Sequence, residues 1–151
     1  MKKFSLLFFG LVAGLALFAQ SGKQVKWIFS SKKISDKIYE VHMTATINGD
    51  FHMYAQNVGV DGPLPTAFVF TKNPLLQLDG KVKEVGKLVK KYESVWSGNV
   101  SYYEKTVNFV QTVKVRGAAK TNLAGKVEFM VCDESRCLPP GEVEFSVNIG
   151  G

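Results

Sequence analysis

Between Lys37 and Ile47 the chain alternates without a break, with Tyr39, Val41, Met43, Ala45 and Ile47 on one side of an extended backbone and Glu40, His42, Thr44 and Thr46 on the other. A period of two with one apolar side marks a half-buried strand and excludes a helix, whose apolar positions recur three and four apart. The pattern returns in Thr106 to Val115, with Val107, Phe109, Val113 and Val115 facing inward, and in Glu142 to Ile149, with Val143, Phe145, Val147 and Ile149 inward. Val25 to Ser30, Phe51 to Gln56, Thr66 to Thr71 and Ala124 to Cys132 read as further strands. Leu75 to Tyr92, where lysines and glycines separate the apolar residues, reads as short strands. Turn chemistry lies between them at Asn48-Gly49-Asp50, at Asn73-Pro74, at Ser97-Gly98-Asn99 and in the Gly- and Pro-rich stretch Gly59 to Pro65. Gly117, Gly125 and Gly141 read as turn and hairpin punctuation. Seven to nine short strands with no helical period predict an all-β fold, an immunoglobulin-like antiparallel β-sandwich, with a barrel as the alternative.

The first residues belong to a different class of segment. Lys2 and Lys3 precede an apolar run from Phe4 to Phe18 that ends in Ala19-Gln20, the layout of a secretory signal peptide over residues 1–19. The run is short for a membrane span, and the polar Ser21-Gly22-Lys23-Gln24 follows it. Cleavage is expected near Ala19; an uncleaved anchor is the alternative, because Leu17 is a mediocre residue for the −3 position. Residues 20–151 then form one domain, long enough to bury a core without covalent help. Loss of Lys2 and Lys3 lowers the basic count from 19 to 17 against 13 acids, so the net charge falls from +6 to +4. The remaining lysines are scattered, and no basic stretch interleaved with aromatics predicts nucleic-acid binding.

Chemistry is concentrated in the chain's two cysteines, Cys132 and Cys137, within Met130-Val131-Cys132-Asp133-Glu134-Ser135-Arg136-Cys137-Leu138-Pro139-Pro140. By strand parity Val127, Phe129 and Val131 face the core, which turns Glu128, Met130 and Cys132 to the opposite face. The cysteines are expected to span a tight hairpin between the last two strands, where facing Cα atoms lie about 4.5 to 5.5 Å apart, a separation that a disulfide tolerates. Closing a loop of about six residues contributes roughly 2 kcal/mol. Exposed bonds of this kind tend to be reducible, so the residues leave redox function and a local structural staple both open. Asp133 and Glu134 are expected to disfavour a thiolate and Arg136 to favour one. A two-cysteine metal site with His42 and His52 is disfavoured by a spacing unlike any usual zinc pattern.

The cysteine run, followed by an alternating strand, resembles the cysteine hairpin of the N-terminal periplasmic domain of DsbD, the thiol:disulfide interchange protein. Asn48 to Gln56 is similar to that family's aromatic strand after a turn, and Ser97-Gly98 to Tyr103 to the segment after its cap loop. The resemblance covers Val25 to Ile149. It implies an immunoglobulin-like domain in the periplasm whose cysteine pair takes electrons from a membrane-embedded thiol reductase and passes them to thioredoxin-like periplasmic proteins. It further implies that Cys137 forms the mixed disulfide and Cys132 resolves it. Trp96, two residues before Gly98, corresponds to the aromatic residue of the cap, and Tyr54 to a tyrosine near the pair; His52 stands where the family has a second tyrosine. With no membrane span or thioredoxin-like segment after the domain, a stand-alone monomeric module served by a separate membrane donor is expected.

No cofactor is expected. The chain carries no Gly-x-Ser-x-Gly turn, no phosphate-binding glycine loop and no nucleotide fingerprint. The competing reading is a non-catalytic secreted binding or assembly domain with a structural hairpin disulfide.

Overall fold

A computed structural model describes residues 19–150; the predicted signal segment therefore lies outside the described residues, apart from Ala19. The described residues open with a short helix α1 (Ala19–Gln24), which the alternation pattern does not anticipate, and continue through β1 (Val25–Ser35), β2 (Ile38–Ile47), β3 (His52–Tyr54), β4 (Ala67–Phe70) and β5 (Leu76–Glu93). A 3-10 turn, Ser94–Trp96, leads into β6 (Gly98–Val115), β7 (Thr121–Phe129), β8 (Val131–Cys132) and β9 (Gly141–Ile149). One antiparallel sheet has the order β1-β2-β6-β3-β8, with β5 on the other side of β6; the second has the order β4-β7-β9. The two pack face to face as the expected all-β sandwich.

The alternation of β2 translates directly into burial, with Tyr39, Val41, Met43, Ala45 and Ile47 buried. These side chains meet Val107, Phe109, Val113 and Val115 from β6 and Phe145, Val147 and Ile149 from β9. Aromatic rings tie the layers together: Phe29 stacks on Phe145 at 4.8 Å, Phe68 lies 5.0 Å from Phe109, and Trp27 lies 5.6 Å from Phe129. Gln111 interrupts the apolar face of β6 and is fully buried. Its amide donates to the carbonyls of Asp79 and Thr112 at 3.2 and 2.8 Å, where β5 bulges between Asp79 and Lys83. The buried amide thus serves backbone acceptors that the bulge takes out of the ladder.

Two expectations change in the structure. The stretch Leu75 to Tyr92 is one long strand, β5, rather than several; the bulge and a second register shift between Gly86 and Leu88 break the periodicity. Among the described residues it pairs only with β6, so its lysines and Leu78, Val85, Leu88 and Tyr92 face solvent along an edge, which hides the strand from a burial pattern. Gly125 and Gly141, expected in turns, lie inside β7 and β9, and only Gly117 is a turn residue with a positive φ of 72°. A Cβ on Gly125 would sit 2.5 Å from the Val69 carbonyl oxygen, and one on Gly141 would sit 2.7 Å from the Phe129 ring. Both glycines allow close approach between neighbours rather than a change of direction.

Candidate functional site

The cysteines do not span a simple hairpin. Strands β7 and β9 pair as far as Phe129 with Gly141, and residues 130–140 leave that sheet as an excursion. At Met130 the chain crosses the sandwich, and β8 joins the other sheet, with His52 opposite Cys132 and Met53 opposite Val131. Leu138 N–H then donates to the Val131 carbonyl at 2.9 Å, and Cys132 and Cys137 face each other as a β-bridge. They form a disulfide with a Cα separation of 4.0 Å, closer than the spacing expected of hairpin neighbours. The turn between them is held by the Asp133 carboxylate, which accepts from the backbone N–H groups of Ser135 and Arg136, each at 2.8 Å, and from the Ser135 hydroxyl. These bonds, led by the Ser135 N–H, hold the Asp133 carboxyl below its usual range. The charges expected to bias the thiolate each have an ionic partner, since Arg136 lies 3.7 Å from Asp133 and Glu134 lies 3.3 Å from Lys91.

Parity also determines what surrounds the disulfide. Met53, Tyr103 and Val131 point into the main core, so their strand neighbours His52, Tyr54, Tyr102 and Cys132 emerge on the outer face of the same sheet. That face is covered. Tyr54, Val58, Val100, Tyr102, Met130 and Cys132 form a second buried cluster, roofed by Val60, Leu64, Val89 and Trp96. Cys132 is consequently 2% exposed, whereas Cys137 is exposed on the rim. An open cleft of about 500 Å³ runs between the disulfide and the 3-10 turn, lined by His52, Tyr54, Glu93, Trp96 and both cysteines.

A polar network organises this cleft. The Trp96 Nε1–H donates to the Tyr54 hydroxyl at 3.0 Å, and that hydroxyl donates to Glu93 Oε2 at 3.2 Å. Glu93 Oε1 lies 3.8 Å from His52 Nε2, and the His52 ring sits 4.3 Å from the Tyr102 ring and 5.3 Å, edge on, from Tyr54. Trp96 is held from the other side by the Gly- and Pro-rich loop: a Cβ on Gly62, whose φ is +131°, would overlap its ring. Burial, ahead of its hydrogen bonds, pushes the Tyr54 phenol up to about 12, so it stays a neutral donor. The three residues expected beside the cysteines, Trp96, Tyr54 and His52, are therefore brought together with them. His42 is not: it bonds Asn108 at 2.9 Å on the far part of β2. Glu93 escapes a reading of the sequence, because it is one acid at the end of a lysine-rich strand and only the pairing of β5 with β6 brings it to His52.

Burial lowers the His52 pKa from 6.5, against the opposing pull of Glu93, Glu104 and Glu134 and with a smaller push from Lys91. With a folded-state pKa below the unfolded one, stability is fully present above pH 6.5 and falls as the pH drops below it, because the unfolded chain takes the proton first. The urea midpoint of the oxidised domain is expected to decline from neutral pH to about pH 5, less steeply in His52→Gln. Parallel curves for the two proteins would show that another group causes the decline.

Comparison with known proteins agrees with the fold. The family model for the N-terminal part of the thiol:disulfide interchange protein DsbD matches residues 21–149. Among solved structures, the DsbD N-terminal domain of Neisseria meningitidis in its reduced form is 17% identical, with a TM-score of 0.55 over 83% of this chain and 86% of that one. The N-terminal periplasmic domain of ScsB from Proteus mirabilis is 13% identical, with a TM-score of 0.52 over 83% of this chain and 44% of that one. At such identities the likeness concerns the fold. No curated protein sequence matches the chain.

Proposed function

Because the chain belongs to the DsbD N-terminal family of thiol:disulfide interchange domains, we propose that it is a periplasmic electron carrier working through Cys132 and Cys137. It accepts two electrons from a membrane-embedded thiol reductase and delivers them to thioredoxin-like periplasmic proteins, as a monomer and without a cofactor. One observation carries the reading: the disulfide is asymmetric, with Cys137 an exposed residue on the rim and Cys132 buried behind it. A partner therefore meets Cys137 first. In the reduced domain the Cys137 thiolate attacks one sulfur of the partner's disulfide, and the partner's other sulfur leaves as a thiolate. Cys132 then loses its proton and attacks Cys137 Sγ, which releases the partner as a dithiol and closes the Cys132–Cys137 bond. Two electrons have passed to the partner, and the reductase restores the dithiol by the reverse sequence.

The test is the equilibrium reduction potential of the pair in the purified mature domain, read by thiol trapping across graded redox buffers. A value on the order of −180 to −270 mV is expected of a carrier, whereas one below about −300 mV would assign the bond to structure. Trp96, tethered to Tyr54 and packed against the cluster that holds Cys132, shields the buried side of the pair. Trp96→Ala is expected to speed reduction by a small dithiol severalfold in stopped-flow measurements. An unchanged rate would remove the shielding role.

A further inference from the structure

The resolving step needs a proton acceptor. Cys132 is 2% exposed, and burial in apolar surroundings favours the neutral thiol over the thiolate. So little of it meets the water of the cleft that a side chain beside it is the nearer proton acceptor. Asp133, Glu134 and Arg136 face the cleft from the cysteine turn, Lys91, Tyr92 and Glu93 from β5, Tyr102 and Glu104 from β6, Asp50 from the turn before β3, and His52 and Tyr54 from β3. A carboxylate is a far weaker base than imidazole, and lysine and arginine are already protonated at neutral pH. The Tyr54 phenol holds its proton.

We propose that His52 is the base that takes the Cys132 proton, with Glu93 as the positioning residue that stabilises the resulting imidazolium. His52 is the cross-strand partner of Cys132, and neighbours in that relation project their side chains to the same face about 4.5 to 5.5 Å apart. Its Nε2 is buried and makes no hydrogen bond among the described residues, and Glu93 Oε1 stands 3.8 Å away. The ring is held against Tyr102 and Tyr54, so the imidazole is already oriented before a partner arrives. Its lowered pKa leaves it a free base at neutral pH. The step balances: His52 gains the proton as Cys132 Sγ bonds to Cys137 Sγ, the partner thiolate leaves with the electron pair of the broken mixed disulfide, and the imidazolium later returns its proton to solvent or to the departing thiolate. In the reverse direction the same imidazolium protonates Cys132 as it is expelled.

The inference rests on an exchange-competent cysteine pair, and its test needs no protein partner. Reduced domain mixed with 5,5′-dithiobis(2-nitrobenzoate) releases one nitrothiolate when Cys137 attacks and a second when Cys132 resolves; Cys132→Ser identifies the second phase by abolishing it. In His52→Gln the second phase is expected to slow by roughly 100-fold at neutral pH, with the first phase unchanged, the low end of what a positioned base supplies. In the wild type the second phase should also fall in rate as acid protonates His52. In His52→Gln the slowed second phase should lose the break at the His52 titration and fall steadily with acid as the thiolate becomes scarcer, and Glu93→Gln should move the break to lower pH. A second phase in His52→Gln within about twofold of wild type, both phases slowed alike, or no second release in the wild type would each overturn the proposal. Failure of the carrier reading shows elsewhere, as absent exchange with a thioredoxin-like protein while both nitrothiolate phases persist.

Discussion

Cys137→Ser is expected to abolish exchange with a thioredoxin-like disulfide completely while leaving a folded domain. Among the described residues Cys137 is the one exposed cysteine, and the buried Cys132 cannot replace it in a first attack. The same substitution opens the disulfide, which closes a loop of about six residues and contributes roughly 2 kcal/mol by the loop-closure model. Against a typical domain stability of about 5–15 kcal/mol that loss is tolerable. The turn also has support of its own, from Asp133 with its three acceptor bonds and from Leu138 N–H on the Val131 carbonyl. Exchange assays and urea unfolding on the same preparation separate the two effects. If the wild type shows no exchange and the variant differs from it only in stability, the disulfide is a staple and the domain a binding module. Cys132→Ser provides the complement, a Cys137 mixed disulfide that accumulates instead of resolving.

The largest loss of stability is expected from Phe129→Ala, about 3–5 kcal/mol by the behaviour of buried aromatic truncations. Phe129 is fully buried as the last residue of β7, directly before the chain leaves that sheet for the other. Its ring packs at 5.6 Å from Trp27 and fills the space over Gly141, where a Cβ would lie 2.7 Å away. With no side chain at Gly141 to relax into the void, the cavity persists and its full cost is felt. Denaturant unfolding of oxidised wild type and variant measures the difference. A loss below about 1 kcal/mol would mean that the layers close over the gap, and that the root of the cysteine excursion is softer than its packing indicates.

The fold was legible wherever a strand has one buried and one solvated face. Tyr39 to Ile47 and Val107 to Val115 announce their inward sets because water lies on one side and the other sheet on the other. β5 was not legible as one strand, since an edge strand with two register shifts has few buried positions to impose a period. Parity correctly turned Cys132 away from the main core. It could not say that this outward face is buried in turn, because the covering residues come from β3, β6, the Gly- and Pro-rich loop and the turn at Trp96.

From the sequence alone followed the sandwich, the inward sets of its regular strands, the pairing of Cys132 with Cys137 and, through the family resemblance, the gathering of Trp96, Tyr54 and His52 around them. These depend on local periodicity and on short motifs, which a linear chain carries in full. Only the tertiary structure decided that the cysteine segment crosses from one sheet to the other, that one sulfur is buried while its partner is exposed, and that Glu93 stands over His52. Each depends on distances between strands remote in sequence. Such distances are set by how two twisted sheets and their loops pack together, and no single strand's pattern records that.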